Sequence, residues 1–457
     1  MSMKRVLGIL LACLLLFSSA MAAEKYTELP AHFAVEVLSE GQPLLDGKAY
    51  SYKEYLKTNS EMIDSDLKAI VDDFEKKWMP DLQADPKKRG NRNSRLDVDI
   101  VYYRTGENYL STMVLARTVY YREQLALEIS TQTYDLLSGE RIVLADLFID
   151  DDAAWDYLAA GVREQLENIY PGEERNEAAI GDFVTRDSLE GAYFTLSGME
   201  LTLHYPAEDF FEGKKNLLHV RFYYPELDGL LSPLGKKVTD NSRWKMVAIT
   251  CDDGPKDYNS TDALTAFRKV GARVTYFWVG RQLERYGDVA QRQADQNHSY
   301  GNHTYNHWSG YSMSKPSRRL KELTDNDVLT LALVGGTAPY FRAPGGTYPP
   351  WAEAKLSIPI IQWSLDTYDF TGKSPEKIMY AIRDSIKEYD IVLCHDTGNH
   401  LFKAVPLFGE FLTNNGYMMV TLQELLAAQE KELTPNLIYW SFRDGENSVD
   451  RSNLKKK

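Results

Sequence analysis

The chain has 457 residues, 44% hydrophobic and 26% charged, which is enough apolar material for two or three domains with cores of their own. A formal net charge of -14 leaves no excess of Lys and Arg to neutralise phosphates, which excludes a general nucleic-acid or anionic-membrane partner and points to one that is neutral or mixed in charge. Three cysteines in so long a chain exclude a disulfide scaffold.

Lys4 and Arg5 precede an apolar run from Val6 to Phe17, and the small residues of Ser18 to Ala22 follow. This is the pattern of a secretory signal over residues 1–22, and it implies a protein that is secreted or associated with the cell envelope on its outer side. The run is too short for a membrane span, so none is expected once the signal is removed. Leu10 to Cys13 resembles a lipoprotein cleavage box, which the apolar residues continuing from Leu14 to Phe17 fit poorly.

Residues 24–224 read as one α+β domain. Met62, Ile63, Leu67, Ile70, Val71, Phe74 and Trp78 recur at helical spacing, which predicts an amphipathic helix from Ser60 to Met79 ended by Pro80. Pro86 to Arg95 is a basic, Asn-rich loop, read as solvated, with contact to an acidic wall polymer as the functional alternative. Leu96, Val98, Ile100 and Tyr102 alternate with Asp97 and Asp99, the period of a half-buried strand. Further strands are expected over Asn108–Thr118, Gln124–Tyr134, Glu200–Tyr205 and Asn216–Tyr224, paired antiparallel, with a helix over Asp152–Asn168. The tyrosine pairs 102–103, 120–121 and 223–224 are each expected to bury one ring and expose the other, sugar stacking being the functional alternative. Residues 225–243 carry Pro, Gly, Lys and Asp without periodicity and read as a linker.

Residues 244–430 change to strand followed by helix, repeatedly, which predicts parallel strands with helices outside. Residues 431–457 read as a tail. Within this half, Met246 to Thr250 is a buried-strand run that ends in the adjacent carboxylates Asp252 and Asp253. Two acids there repel one another and resist losing water, so the position calls for a metal or a strong donor. His303 and His307, four apart, are expected on one helical turn with both imidazoles on one face. One carboxylate and two imidazoles make a facial set for zinc or a similar divalent ion with positions left open, as in a catalytic site. Strand alternation turns the thiols of Cys251 and Cys394 away from that site, toward the helical layer, as small buried apolar groups.

Thr250 to Pro255, His303 to His307, Arg342 to Gly346, Asp366 to Phe370 and Leu393 to His395 resemble, in order, the five motifs of the polysaccharide deacetylase (NodB-homology, carbohydrate esterase 4) family. One such motif is weak; five in order are specific. The resemblance covers about residues 243 to 428 and implies a distorted, incomplete (β/α) barrel, here preceded by a smaller α+β domain, with the motifs at the C-terminal ends of the strands. It also implies a secreted, metal-dependent hydrolase that removes acetyl groups from N-acetylated polysaccharide, peptidoglycan first. Chitooligosaccharide deacetylation and acetylxylan esterase activity are the alternatives. Carried over residue by residue, Asp253, His303 and His307 would hold the ion, zinc or else cobalt or another divalent metal, and Asp252 would be the base. His395 would be the acid, Arg342 would pair with Asp252, and Asp369 would accept a bond from His395. Phe370, Leu393 and a backbone N–H near Gly345 would meet the substrate.

Three departures stand out: Phe370 in place of the usual tryptophan, Gly345 where an aromatic often follows the proline, and Cys251 in place of a phenylalanine. The missing aromatic at 345 opens the groove, which is read as a change of substrate preference. Ser130 to Phe148 is similar, more loosely, to domains that precede bacterial wall deacetylases and to the lysozyme-sensing part of certain anti-sigma factors. That implies a glycan-binding or protein-binding accessory module; it is expected to tether the enzyme to an insoluble substrate, the alternative being that it packs on the barrel and stabilises it. The rival reading is a glycan- or lysozyme-binding surface protein with a vestigial catalytic domain, which has no need of both a base and an acid.

Overall fold

The structure is a computed structural model and describes residues 24–84, 93–120, 123–313, 315–352 and 355–443. The expected signal at 1–22, most of the basic loop, Tyr121 and the end of the tail from residue 444 lie outside the described residues. Among the described residues no helix is long and apolar enough to cross a membrane.

The first sheet has six strands in sequence order: β1 (Glu36–Leu44), β2 (Ala49–Lys57), β3 (Ser94–Thr105), β4 (Tyr109–Tyr120), β5 (Glu123–Asp135) and β6 (Arg141–Ile142). Its pairs are antiparallel except β2 with β3, which run parallel because the helix α1 (Glu61–Gln83) returns the chain to the starting end between them. No strand is expected from the sequence at β2; the expected neighbours β3, β4 and β5 do pair antiparallel. Ser60 caps α1, and Ile63, Leu67, Val71 and Phe74 bury its predicted stripe. The helix runs past Pro80 to Gln83 with Leu82 buried, because a proline so near the end removes only one hydrogen bond of the last turns. A second sheet, β7 (Tyr193–Leu196), β8 (Glu200–Pro206) and β9 (Leu217–Tyr223), is antiparallel. It shares a core with α2 (Asp152–Asn168), which contributes Trp155, Leu158, Val162 and Leu166.

Half-burial of β3 is corrected as well, since Asp97 and Asp99 are as buried as the apolar residues between them. Cations make this tolerable: Asp99 stands 3.1 Å from Arg268 and 3.7 Å from Arg117, and Arg292 lies 3.8 Å from Asp97. Tyr102 and Tyr103 are both buried, and their hydroxyls donate to Lys269 O at 3.1 Å and Gln296 O at 3.3 Å, so neither ring is offered to a sugar. Residues 225–243, expected as a linker, instead hold the short helices Tyr224–Leu227 and Pro233–Thr239, with Val238 buried and Gly235 packed on the Leu147 backbone.

The C-terminal half is built on parallel strands: β10 (Lys245–Asp252), β11 (Thr275–Trp278), β12 (Ser299–Asn302), β13 (Ile360–Ile361), β14 (Leu365–Asp366), β15 (Ile391–His395), β16 (Tyr417–Val420) and β17 (Ile438–Tyr439). The order is β12-β11-β10-β15-β14, with β16 also paired to β10. Bridges from Asn302 to Phe341 and from Phe341 to Ile360 carry the curl round to β13 and β17. The helices include α3 (Asp257–Lys269), α4 (Gly280–Asp295), α5 (Pro316–Val334), α6 (Pro375–Arg383), α7 (Leu401–Asn414) and α8 (Leu422–Ala427). The chain is thus α/β, a distorted, incomplete (β/α) barrel preceded by an α+β domain that is not smaller, as expected, but of similar length. The first part of the expected tail is packed, not frayed: β17 pairs with β13 and Phe442 is buried. Cys251 and Cys394 are register partners on β10 and β15, both free, in one core with Ala263, Phe267 and Phe408 of the helical layer.

Candidate active site

β10 is apolar and buried until Thr250 and the two acids, so it carries them to the C-terminal rim of the barrel. Asp252 ends the strand and stays buried. Asp253 leaves it with φ of 76°, a left-handed conformation that costs a non-glycine residue roughly 1–3 kcal/mol. Neighbours along a strand face opposite ways, and the turn undoes that: His303 Nε2 lies 3.6 Å from Asp252 Oδ2 and 3.4 Å from Asp253 Oδ1.

The two histidines do not share a helical turn, and that expectation is corrected. Residues 303–307 form a loop in which Thr304 and His307 have φ of 64° and 60°. Side chains take the backbone donors a helix would have used. Asn302 Oδ1 accepts from Thr304 N–H at 2.8 Å, Thr304 Oγ1 accepts from His307 N–H at 2.9 Å, and the buried Glu322 accepts from Asn306 N–H and Nδ2, each at 2.7 Å. The loop still brings the imidazoles together, with ring centres 4.9 Å apart.

Asp253, His303 and His307 each offer a ligand atom, and these atoms lie within 4.8 Å of one another. Their chemistry fits a divalent metal. His303 Nδ1 lies 2.9 Å from the carbonyl of Arg342, which can only accept, so Nδ1 is the donor and Nε2 is the nitrogen turned toward the carboxylates as a ligand would be. Asp253 Oδ1 is buried and accepts no hydrogen bond, although His307 Nε2 stands 3.0 Å away. Electron-rich atoms this close together suit a shared cation, and nitrogen with carboxylate oxygen suits zinc and its neighbours.

The remaining expected residues stand around these three. Arg342 is fully buried and held through all three guanidinium nitrogens: to Asp252 Oδ1 at 2.8 Å, Thr250 Oγ1 at 2.7 Å, Ile361 O at 3.1 Å and Gln362 O at 2.9 Å. His395, the register partner of Asp252, donates through Nδ1 to Asp369 Oδ1 at 2.8 Å, and its backbone N–H donates to Asp369 Oδ2 at 2.8 Å. Burial opposes charge on this imidazole, but the Asp369 hydrogen bond, aided by Asp252 and Asp253, pushes its pKa up to about 9. The exposed Phe370 ring is 5.3 Å from the His395 ring, edge to face. Gly345 has φ of 60° in the loop after Arg342, and Leu393 is buried in β15 beside Thr250.

Two residues in the site had no assigned role. Thr250 accepts from Arg342 and donates to Val392 O at 2.7 Å, and its place in the strand toward Asp252 was a usable signal. Asp396 is fully buried beneath Gly254, where any Cβ would run into its carboxylate; burial pushes its pKa up to about 7. Its position directly after His395 was the available signal.

Residues 239–357 match the family model described as polysaccharide deacetylase. Over those residues the barrel half of the chain resembles that family. Its chemistry is that of a hydrolase acting on carbon–nitrogen amide bonds. Among curated proteins, a peptidoglycan-N-acetylglucosamine deacetylase of Bacillus cereus is 29% identical over 191 residues, 40% of this chain and 88% of that protein. The peptidoglycan-N-acetylglucosamine deacetylase PgdA of Listeria monocytogenes is 22% identical over 298 residues, 64% of this chain and 63% of that one. Among solved structures, a family 4 acetyl xylan esterase from Clostridium thermocellum with a cobalt ion is 23% identical over 43% of this chain and 98% of that one, with a TM-score of 0.41.

Proposed function

We propose that the protein is an extracellular, metal-dependent polysaccharide N-deacetylase whose substrate is the N-acetylated glycan of peptidoglycan. The observation that carries the reading is the grouping of three metal-type ligand atoms between an acid fixed by Arg342 and an imidazole fixed by Asp369. The preference for peptidoglycan rests on the named relatives and on the secretory pattern of Lys4 to Ala22.

Asp253, His303 and His307 would hold the divalent ion, which lowers the pKa of water and polarises a carbonyl when bound. The chain's own groups supply the rest of an amide hydrolysis. Asp252, kept ionised and oriented by the Arg342 guanidinium, takes the proton of the attacking water as its oxygen adds to the acetyl carbon. A backbone N–H near Gly345 donates to the carbonyl oxygen as it gains charge. His395 gives its proton from Nε2 to the sugar nitrogen as the C–N bond breaks, leaving acetate and a free amine. Phe370 and Leu393 form apolar surface against the acetyl-bearing sugar.

Mass spectrometry of muropeptides, N-acetylated chitooligosaccharides and acetylated xylan after incubation with enzyme and zinc or cobalt tests this reading. The expected result is loss of one acetyl mass per reacted sugar on the first two, abolished by a chelator and restored by metal. Release of acetate from xylan alone would move the substrate to an ester, and no release from any would sink the reading.

A further inference from the structure

We infer that Trp308 and Tyr311 form a saccharide platform beside the metal ligands, seating units of the glycan beyond the one that loses its acetyl group. The inference rests on the deacetylase reading above.

Both rings are in water, Trp308 43% and Tyr311 69% exposed, yet the turn that bears them is firmly built. Ser309 Oγ lies 3.2 Å from Thr347 Oγ1, Gly310 N–H donates to the same oxygen at 3.4 Å, and Ser312 Oγ donates to Ser309 O at 2.6 Å. Gly310 is buried against the fully buried Trp351, where a Cβ would come 2.7 Å from Nε1. Arg319 pins the end of the turn through Met313 O at 2.8 and 3.1 Å. Large apolar rings held out of the core by such a frame mark a binding surface, not a loose loop.

The position says what binds. Trp308 directly follows His307, and Thr347, which anchors the turn, adjoins Gly345 and Gly346. A Cβ on Gly345 would meet nothing within 4 Å, so that loop presents bare backbone and the neighbouring turn supplies the rings. On the other flank stand Tyr368 and Phe370, 49% and 61% exposed with rings 6.3 Å apart. β12 and β14, which lead into these two loops, are the ends of the order β12-β11-β10-β15-β14, and the paired acids stand on β10 between them. β10 stands two strands in from either end of that order, so the two aromatic loops lie on opposite sides of the acids along the sheet. A glycan laid across the acids meets aromatic rings on both sides. The faces of its rings carry C–H groups that pack on aromatic surface while the hydroxyls at their edges stay in water.

Steady-state kinetics on N-acetylated chitobiose and chitopentaose test the platform. Trp308→Ala and Tyr311→Ala should each raise KM for the pentamer about tenfold, with little of the loss in kcat and a much smaller change for the dimer. Tyr193→Ala removes a ring of similar exposure on β7 and should change neither. Equal losses on dimer and pentamer, or a loss carried by kcat, would overturn the inference. Calorimetry of chitopentaose binding to the Asp252→Asn protein needs no turnover: adding Trp308→Ala should weaken it about tenfold, and unchanged affinity overturns the platform. Wild-type protein that hydrolyses neither these oligomers nor muropeptides would sink the deacetylase reading instead, and the calorimetry would still decide for or against the platform.

Discussion

Asp252 and Asp253 are adjacent in sequence, and their surroundings set them apart. Asp252 accepts a charged hydrogen bond from Arg342, whereas Asp253 Oδ1 has none and faces two imidazole nitrogens. Asp252→Asn keeps the size and removes the proton acceptor, so turnover should fall roughly 100-fold or more while zinc affinity by calorimetry stays near that of the wild type. Turnover that survives would take Asp252 out of the mechanism. His395 divides differently, because it works as an acid only while protonated. Burial would lower its pKa and Asp369 more than offsets this, to about 9, so the acid is available below that pH and lost as pH rises through it. In Asp369→Asn burial wins, and the alkaline limb of kcat/KM should move to or below neutrality. A pH profile with its alkaline limb unmoved would show that Asp369 does not hold the proton on His395.

At the scale of elements, the loop that carries His303 and His307 is fixed by partners far from it in sequence. Glu322, from α5, accepts both Asn306 donors and so sets the path between the two histidines. Glu322→Ala should lower zinc affinity about 10- to 100-fold, the usual range for groups that orient metal ligands, and Glu322→Gln, which keeps an acceptor, should recover part of it. Zinc titration of the three proteins checks this, and equal affinities would leave the loop without need of Glu322. This is also where the sequence stops being legible. A buried run ending in two acids reads directly as β10, because every residue in it argues for the same thing, and so does the apolar stripe of α1. The i, i+4 spacing of the histidines argued for a helix, but Asn302 and Thr304 take the backbone donors locally and Glu322 completes the loop from a distance. β1 gave no signal because its nine residues are nearly all exposed, so no alternation is imposed on them. The two short helices of 225–243 follow from close packing, as of Gly235 on Leu147, which composition does not encode.

Across the whole molecule, the two halves share what neither could keep alone. Phe33, just before the first sheet, and Leu96, Val98 and Ile100 within it lie in one core with Trp244, Met246, Phe277 and Leu422 from the barrel half. Charges are buried across the same seam. Arg268, on the helix that follows the Asp253 turn, donates to both oxygens of Glu54 at 2.8 Å, and Arg273 lies 3.1 Å from Glu200 and from Glu424. Arg117 Nη2 reaches Asp295 at 3.3 Å. Cutting the chain to residues 244–430 would keep Arg268, Arg273, Arg292 and Asp295 and remove Glu54, Asp97, Asp99, Arg117 and Glu200. Stripping one partner from a buried pair costs about 3–5 kcal/mol, and a domain's whole stability is about 5–15 kcal/mol, so the loss of several exceeds what the barrel can bear. Exposure to water would relieve part of this by resolvating the charges, but it would also uncover the shared apolar core. The fragment should therefore fail to give a cooperative thermal transition by circular dichroism, whereas the full chain melts as one unit. Glu54→Gln in the full chain, a milder break at Arg268, should lower Tm measurably and leave zinc affinity nearly intact. A fragment that melts cooperatively at the temperature of the full chain and turns over short oligosaccharides equally well would instead make the N-terminal half a tether, useful on insoluble wall and dispensable for the barrel.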